Sequence, residues 1–150
     1  FVYQAFLLDD EQAQDQIFQQ NMTSQEDYDK AVEQLYNLKE TYQELVDCEV
    51  IASKEDIARY GVIGWDAGRL NFMARACYDA KYISEIEAWK YIDKAYDLAH
   101  SNFTSWHDMA MSYVIGRAIW GGTGAYNSGM KGFADDLLSD PKSPWVQIKW

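Results

Sequence analysis

Helix start signals recur along the chain, and each opens a segment whose apolar residues have helical spacing. Three segments carry the capping-box pattern, in which a hydroxyl residue precedes a carboxylate by three positions: Thr23-x-x-Glu26, Ser53-x-x-Asp56 and Ser84-x-x-Glu87. The two side chains of this pattern satisfy free N–H groups of a first helical turn. No segment shows the period of two that a half-buried strand requires. The sequence therefore predicts an all-α fold.

The expected architecture is a compact irregular bundle of about five or six helices. They are predicted at about residues 23–46, 53–78 with an interruption at Gly61 and Gly64, 84–100, 105–120 and 133–138. Residues 9–20 are weakly periodic and favour either a helix or a mobile arm. An extended C-terminal tail is expected after Pro141 and Pro144, since proline cannot continue a helix.

The core is expected to be aromatic, because the chain has six Trp, eleven Tyr and six Phe. In the helix after Ser84, helical spacing predicts that Trp89, Ile92, Tyr96 and Ala99 face inward. We also expect the rings of Trp89, Trp106 and Trp120 to be largely buried, with the acidic first third of the chain more exposed.

The length of 150 residues predicts a single domain over residues 1–150. Its acidic N-terminal helical region, about 1–57, has 14 acidic and 3 basic residues, whereas the motif-bearing helical core, about 58–150, has 10 of each. A net charge of -11 without a basic cluster disfavours binding to nucleic acid or to an anionic membrane. We therefore expect neither of these partners.

The cysteines and histidines do not form a recognisable metal or disulfide pattern. Cys48 and Cys77 lack the spacing of a disulfide framework, which favours reduced thiols and a cytoplasmic location. His100 and His107 lie on either side of a predicted helix boundary, which disfavours a metal pair. We predict no metal and no cofactor, and the sequence leaves the oligomeric state open.

Tryptophan-containing motifs follow one another through the last two-thirds of the chain. They are Trp65-Asp66-x-x-Arg69, Tyr82-Ile83-Ser84-x-x-Glu87-Ala88-Trp89, Ser105-Trp106, Gly116-Arg117-x-x-Trp120-Gly121 and Ser143-Pro144-Trp145-x-x-x-x-Trp150. In order, spacing and tryptophan content, this set over about residues 60–150 resembles the bacterial domain-of-unknown-function family 1266. The resemblance implies a helical bacterial domain and transfers no activity, cofactor or catalytic residue. The acidic first third has no counterpart in it.

Two arginines occupy aromatic helix faces. At about 100° per residue, Arg117 shares a stripe with Tyr113 and Trp120, and Arg69 shares one with Trp65. A guanidinium placed in apolar surroundings costs several kcal/mol unless a carboxylate or carbonyl satisfies it. Both arginines are therefore expected to have partners.

The expected carboxylate partners are Asp66, three residues before the first arginine, and Glu87. Gly68 and Gly116 each precede one of the two arginines, and their lack of a side chain would let helices approach closely. The glycine run at 121–124 is predicted to end a helix rather than to bind phosphate, because it follows a helix and lacks the lysine of a phosphate loop.

The cluster has two interpretations that the sequence leaves open. It comprises Trp65, Asp66, Arg69, Glu87, Arg117 and Trp120. In the structural interpretation these residues form buried ion pairs stacked on indole rings, which fix helix register. In the functional interpretation Arg69 and Arg117 line a pocket for a phosphate or carboxylate, with Trp65 and Trp120 as its walls.

Three function classes follow. The leading one is a non-enzymatic protein-interaction or accessory module, since the chain offers helical surface and no recognisable catalytic set. The second is an enzyme, or an effector or toxin domain with enzymatic action. The third is a small-anion binder. The second and third would both use a pocket around Asp66, Arg69, Glu87 and Arg117, whereas the first implies another protein as partner.

Overall fold

The protein is all-helical, as the caps and the periodicity predict. In a computed structural model that describes residues 1–150, nine α-helices follow in chain order: α1 (Val2–Phe6), α2 (Glu11–Asn21), α3 (Gln25–Asp47), α4 (Lys54–Tyr60), α5 (Ile63–Asp79), α6 (Glu85–Asn102), α7 (Trp106–Gly121), α8 (Asn127–Ser139) and α9 (Pro144–Gln147). A 3₁₀ turn, Gly122–Ala125, joins α7 to α8. The predicted five or six helices are too few, because α1 and α9 are too short for helical periodicity to show and the predicted segment 53–78 is divided into α4 and α5. No helix has both the length and the hydropathy needed to cross a membrane.

Serine side chains begin helices where the cap pattern predicts them. The Ser84 hydroxyl accepts from the Glu87 backbone N–H, and the Glu87 carboxylate accepts from the Ser84 backbone N–H at 2.9 Å. A second box holds the start of α4 at Ser53. At α3 the cap is Ser24 rather than the predicted Thr23, a shift of one residue. The capping pattern therefore places these helix starts to within a residue.

The main core lies around α3 and α7, with α1, α2 and α4 packed against them. Its seventeen buried side chains are Ala5, Phe6, Phe18, Ala31, Leu35, Leu38, Leu45, Val50, Ile51, Ile57, Ala110, Met111, Val114, Ile115, Ala118, Ile119 and Ala134. Ten of these seventeen come from residues 1–57. The prediction that the acidic first third is more exposed is wrong, because its apolar residues recur at helical spacing and face α7 while its carboxylates occupy the outer faces.

α5 and α6 form a helical hairpin with small residues on its inner side. Ala88, Ala95 and Ala99 are the buried residues of α6. Trp89 is 56% exposed and Tyr96 is 60% exposed, so the prediction that both face inward is wrong. Alanines let the two backbones pack closely, and the rings of Trp89 and Tyr96 stay more than half exposed.

The C-terminal segment is not the extended tail that was predicted. Pro144 begins α9, and the Trp145 ring stacks on Trp106 with centroids 5.0 Å apart. The Trp150 indole N–H donates to the Phe103 carbonyl at 2.9 Å. These contacts hold the segment against the start of α7, where the Trp106 ring is half-buried rather than largely buried as predicted.

Candidate functional site

Two glycines bring α5 and α7 into close contact. A Cβ atom added to Gly116 would lie 2.4 Å from the Cβ of Trp65, and one added to Gly68 would lie 2.6 Å from the Tyr113 ring. Both distances are shorter than real Cβ contacts, so neither position accepts a side chain without movement of its neighbours. The predicted close approach at these glycines is confirmed, and it places the Trp65 ring between the two helices.

The Arg–Trp cluster, which we define as Trp65, Arg69, Arg117 and Trp120, lies where these helices meet. The guanidinium carbons of Arg69 and Arg117 are 5.5 Å and 5.6 Å from the centroid of the Trp65 ring. The Arg69 guanidinium is also 5.7 Å from the Trp120 ring. These are cation–π distances, and they bring the four predicted residues together.

The two rings of the cluster differ in exposure. Trp65 is only 8% exposed and forms the base of the cluster, with the Tyr113 ring edge-on to it at 5.1 Å. Trp120 is 52% exposed, so the prediction that it is largely buried is wrong. It lies at the end of α7, where the chain turns away and leaves one side of the ring uncovered. The cluster therefore opens to solvent rather than being sealed in the core.

The ion pairs predicted for this cluster do not form. The ion pairs of the structure are Lys54–Asp9 and Lys131–Asp135, and the His107 ring lies within 3.3 Å of the Asp108 carboxylate. Asp66 is exposed, and Glu87 is also exposed and is held at the start of α6. The backbone N–H of Ser84 is the largest cause that keeps the pKa of Glu87 below its ordinary value. Glu87 is thus engaged as a helix cap and is not a partner of the arginines.

A backbone carbonyl takes the place of the expected carboxylate. The Arg117 Nε–H donates to the carbonyl oxygen of Ala125 at 2.8 Å, within the 3₁₀ turn after α7. The remaining N–H groups of Arg117 and all those of Arg69 have no acceptor in the protein. They reach solvent, because the one buried side-chain polar atom without a partner is Asn127 Oδ1.

This arrangement is suited to binding an oxyanion. Two positive charges lie on one indole ring without a counter-charge, and each guanidinium presents N–H groups in a planar fork that matches carboxylate and phosphate. The exposed side of Trp120 adds an apolar wall. An arginine side chain supplies a fixed positive charge and hydrogen-bond donors rather than a transferable proton, which suits contact with an anion better than acid–base chemistry.

Sequence reasoning left two contributors outside the predicted site. Tyr113 was placed on the aromatic stripe of α7 but not among the site residues, although its ring contacts Trp65. The Ala125 carbonyl was missed, because a backbone acceptor has no side-chain signature. The glycine run before it was the available signal, since it predicts a turn that brings the backbone back toward Arg117.

Comparisons with known proteins address the family and leave the activity open. No curated protein and no solved structure matches the chain. The model of one family, described as proteins of unknown function (DUF1266), matches residues 1–150 and so includes the acidic first third, for which the motifs alone had shown no counterpart. The chain therefore belongs to the DUF1266 family of proteins of unknown function.

Proposed function

We propose that the protein is a non-enzymatic interaction module that recognises an oxyanion of its partner, a carboxylate or a phosphate, at the Arg–Trp cluster. The observation that carries this proposal is the pair of guanidinium groups on the Trp65 ring, neither of which has a carboxylate partner. Guanidinium groups without a carboxylate partner can bind an anionic group of the partner, and the half-exposed indole beside them can contact apolar atoms next to that group.

The geometry favours binding over catalysis and adds an apolar contact. Arg117 is oriented by its bond to the Ala125 carbonyl, so part of the ordering cost of binding is already met. Phe72 lies one turn beyond Arg69 on α5 and is 67% exposed, which extends the apolar wall along the helix. No separate observation supports the enzyme, effector or toxin alternative for the Asp66, Arg69, Glu87 and Arg117 set.

Titration of the purified protein with inorganic phosphate and with a hexaglutamate peptide at low ionic strength tests the proposal. Arg69→Gln and Arg117→Gln should each weaken binding by about tenfold, since a hydrogen bond to a charged group contributes about 1.5–3 kcal/mol. Affinity should also fall as salt screens the charges. Arg75→Gln removes an exposed arginine of the same helix outside the cluster and is the matched control. Equal losses in all three variants would indicate attraction by net charge alone and would reject the site.

A further inference from the structure

A cavity lies on a different side of α5 from the Arg–Trp cluster. It is a cleft open to solvent on one side, with a volume of about 220 Å³, and it is lined by α5, α6, the start of α7 and the C-terminal segment. Its walls include the small side chains of Ala67, Ala95 and Ala99. Most of its lining is apolar.

Aromatic rings surround this cavity, and hydrogen bonds fix two of them. His100 lies between the rings of Tyr96 and Trp150, with centroids 4.1 Å and 4.4 Å away. The Trp150 ring meets Trp106 edge-on at 4.8 Å. The indole N–H groups of Trp106 and Trp150 donate to the carbonyls of Ile148 and Phe103. With their polar atoms satisfied, these two rings present only apolar surface to the cavity.

Two polar side chains of the lining are free to bind. The Asn71 amide and the His100 imidazole both line the cavity, and neither has a hydrogen-bond partner in the protein. They offer a donor and an acceptor against an otherwise apolar wall. A pocket that is mostly apolar with a small number of polar groups is typical of small-molecule sites.

We infer that this cavity binds a small planar aromatic molecule that carries one hydrogen-bonding group, such as a phenol or an indole. An apolar cavity of about 150 Å³ accommodates benzene, so 220 Å³ leaves room for a ring with a substituent or a fused second ring. Flat rings also match the stacked contact of His100 with Trp150 and the edge-on contact of Trp106 with Trp150. The ligand's polar group would bond to Asn71 or His100.

The chain offers an internal control for a test by nuclear magnetic resonance. Its two histidines are His100, at the cavity, and His107, which lies outside it on an exposed part of α7. Titration with indole should shift the ring signals of His100 along a saturable curve and leave those of His107 unchanged. Nuclear Overhauser contacts should join indole ring protons to the methyl groups of Ala95 and Ala99 in the unmodified protein.

Two variants test whether indole binds in this cavity, and a non-planar probe tests whether binding requires a flat ring. Ala95→Leu fills the cavity and should raise the dissociation constant for indole by about tenfold or more. Arg69→Gln should leave it unchanged, which separates this site from the oxyanion site. Cyclohexanol, which has a similar size without a flat ring, should bind more weakly. The inference is overturned if indole shifts both histidines alike, if no contacts to the two alanines are seen, or if cyclohexanol binds as tightly as indole. The contacts in the unmodified protein decide the matter even if Ala95→Leu fails to fold.

Discussion

Arg117 connects the Trp65 ring to the turn that ends α7, and one guanidinium makes both contacts. Its Nε–H donates to the Ala125 carbonyl, and its central carbon lies 5.6 Å from the centroid of the Trp65 ring. A hydrogen bond from a charged donor contributes about 1.5–3 kcal/mol, and a cation–π contact at a partly exposed site adds about 0.5–1 kcal/mol. Solvent screens both at this half-buried position. Removal of the side chain leaves no carboxylate stranded in the core.

We expect Arg117→Ala to lower the free energy of unfolding by about 1–3 kcal/mol, because only these two contacts are lost. Breaking a buried ion pair costs about 3–5 kcal/mol. Urea denaturation measures the change as a shift of the midpoint at constant slope. Arg75→Ala, the exposed control on α5, should change stability by less than about 0.5 kcal/mol. A loss near 5 kcal/mol for Arg117→Ala would instead reveal a buried counter-charge.

Helical spacing made the arginine positions predictable, but it did not identify their partners. Arg69 lies on Trp65 because residues four apart on a helix share a face, whereas Arg117 reaches the same ring across the contact between α5 and α7. Which acceptor satisfies a guanidinium depends on how separate helices pack, and that packing brings a backbone carbonyl rather than Glu87 to Arg117. Glu87 was already engaged locally as the partner of Ser84. The sequence therefore predicted the hydrogen bonds within one helix turn, as at Ser84 and Glu87, but not the hydrogen bond that Arg117 makes outside its own helix.

At the scale of the helix, the sequence predicts where helices start but not which face of a helix is buried. Caps at Ser53 and Ser84 depend on residues three positions apart, so the sequence alone places them. The inward face of α6 depends on what packs against it, and α5 packs against the alanines at 88, 95 and 99 rather than against Trp89. The prediction that Trp89 faces inward was wrong because large rings usually occupy cores, whereas closely packed helices have small residues at their contact.

The contact between α5 and α7 depends on Gly116. An added Cβ would lie 2.4 Å from the Cβ of Trp65, so we expect Gly116→Ala to destabilise the protein by about 1–3 kcal/mol through overpacking. Gly132 is the matched control, since it lies inside α8 with nothing within 4 Å of an added Cβ. Gly132→Ala should stabilise by about 0.5–1 kcal/mol through helix propensity. Thermal unfolding of both variants would contradict this account if Gly116→Ala were neutral or stabilising.

At the scale of the molecule, the acidic first third and the motif-bearing remainder share one core. Residues 1–57 have a net charge of -11, yet they supply most of the buried side chains around α7. The charged residues of α2 and α3 lie on the outer faces of these helices, whereas the apolar stripe of each helix determines where the helix packs. The composition therefore predicted the surface of this region correctly and its place in the fold wrongly. The family match over residues 1–150 covers both regions.

A shared core predicts that the motif-bearing region does not fold alone. In a fragment of residues 58–150, Met111, Val114 and Ile115 would lose the cluster partners that residues such as Leu38 and Leu45 provide. At about 1.5–3 kcal/mol for each large side chain left uncovered, these three lose about 5–9 kcal/mol together, which is comparable to the 5–15 kcal/mol by which such domains are stable. We expect the fragment to show reduced helical circular dichroism, no cooperative thermal transition and poorly dispersed amide signals, whereas the full chain unfolds in one transition. A fragment with a dispersed spectrum and a cooperative transition would mean that residues 58–150 form a core of their own, with α1 to α3 as an appended layer.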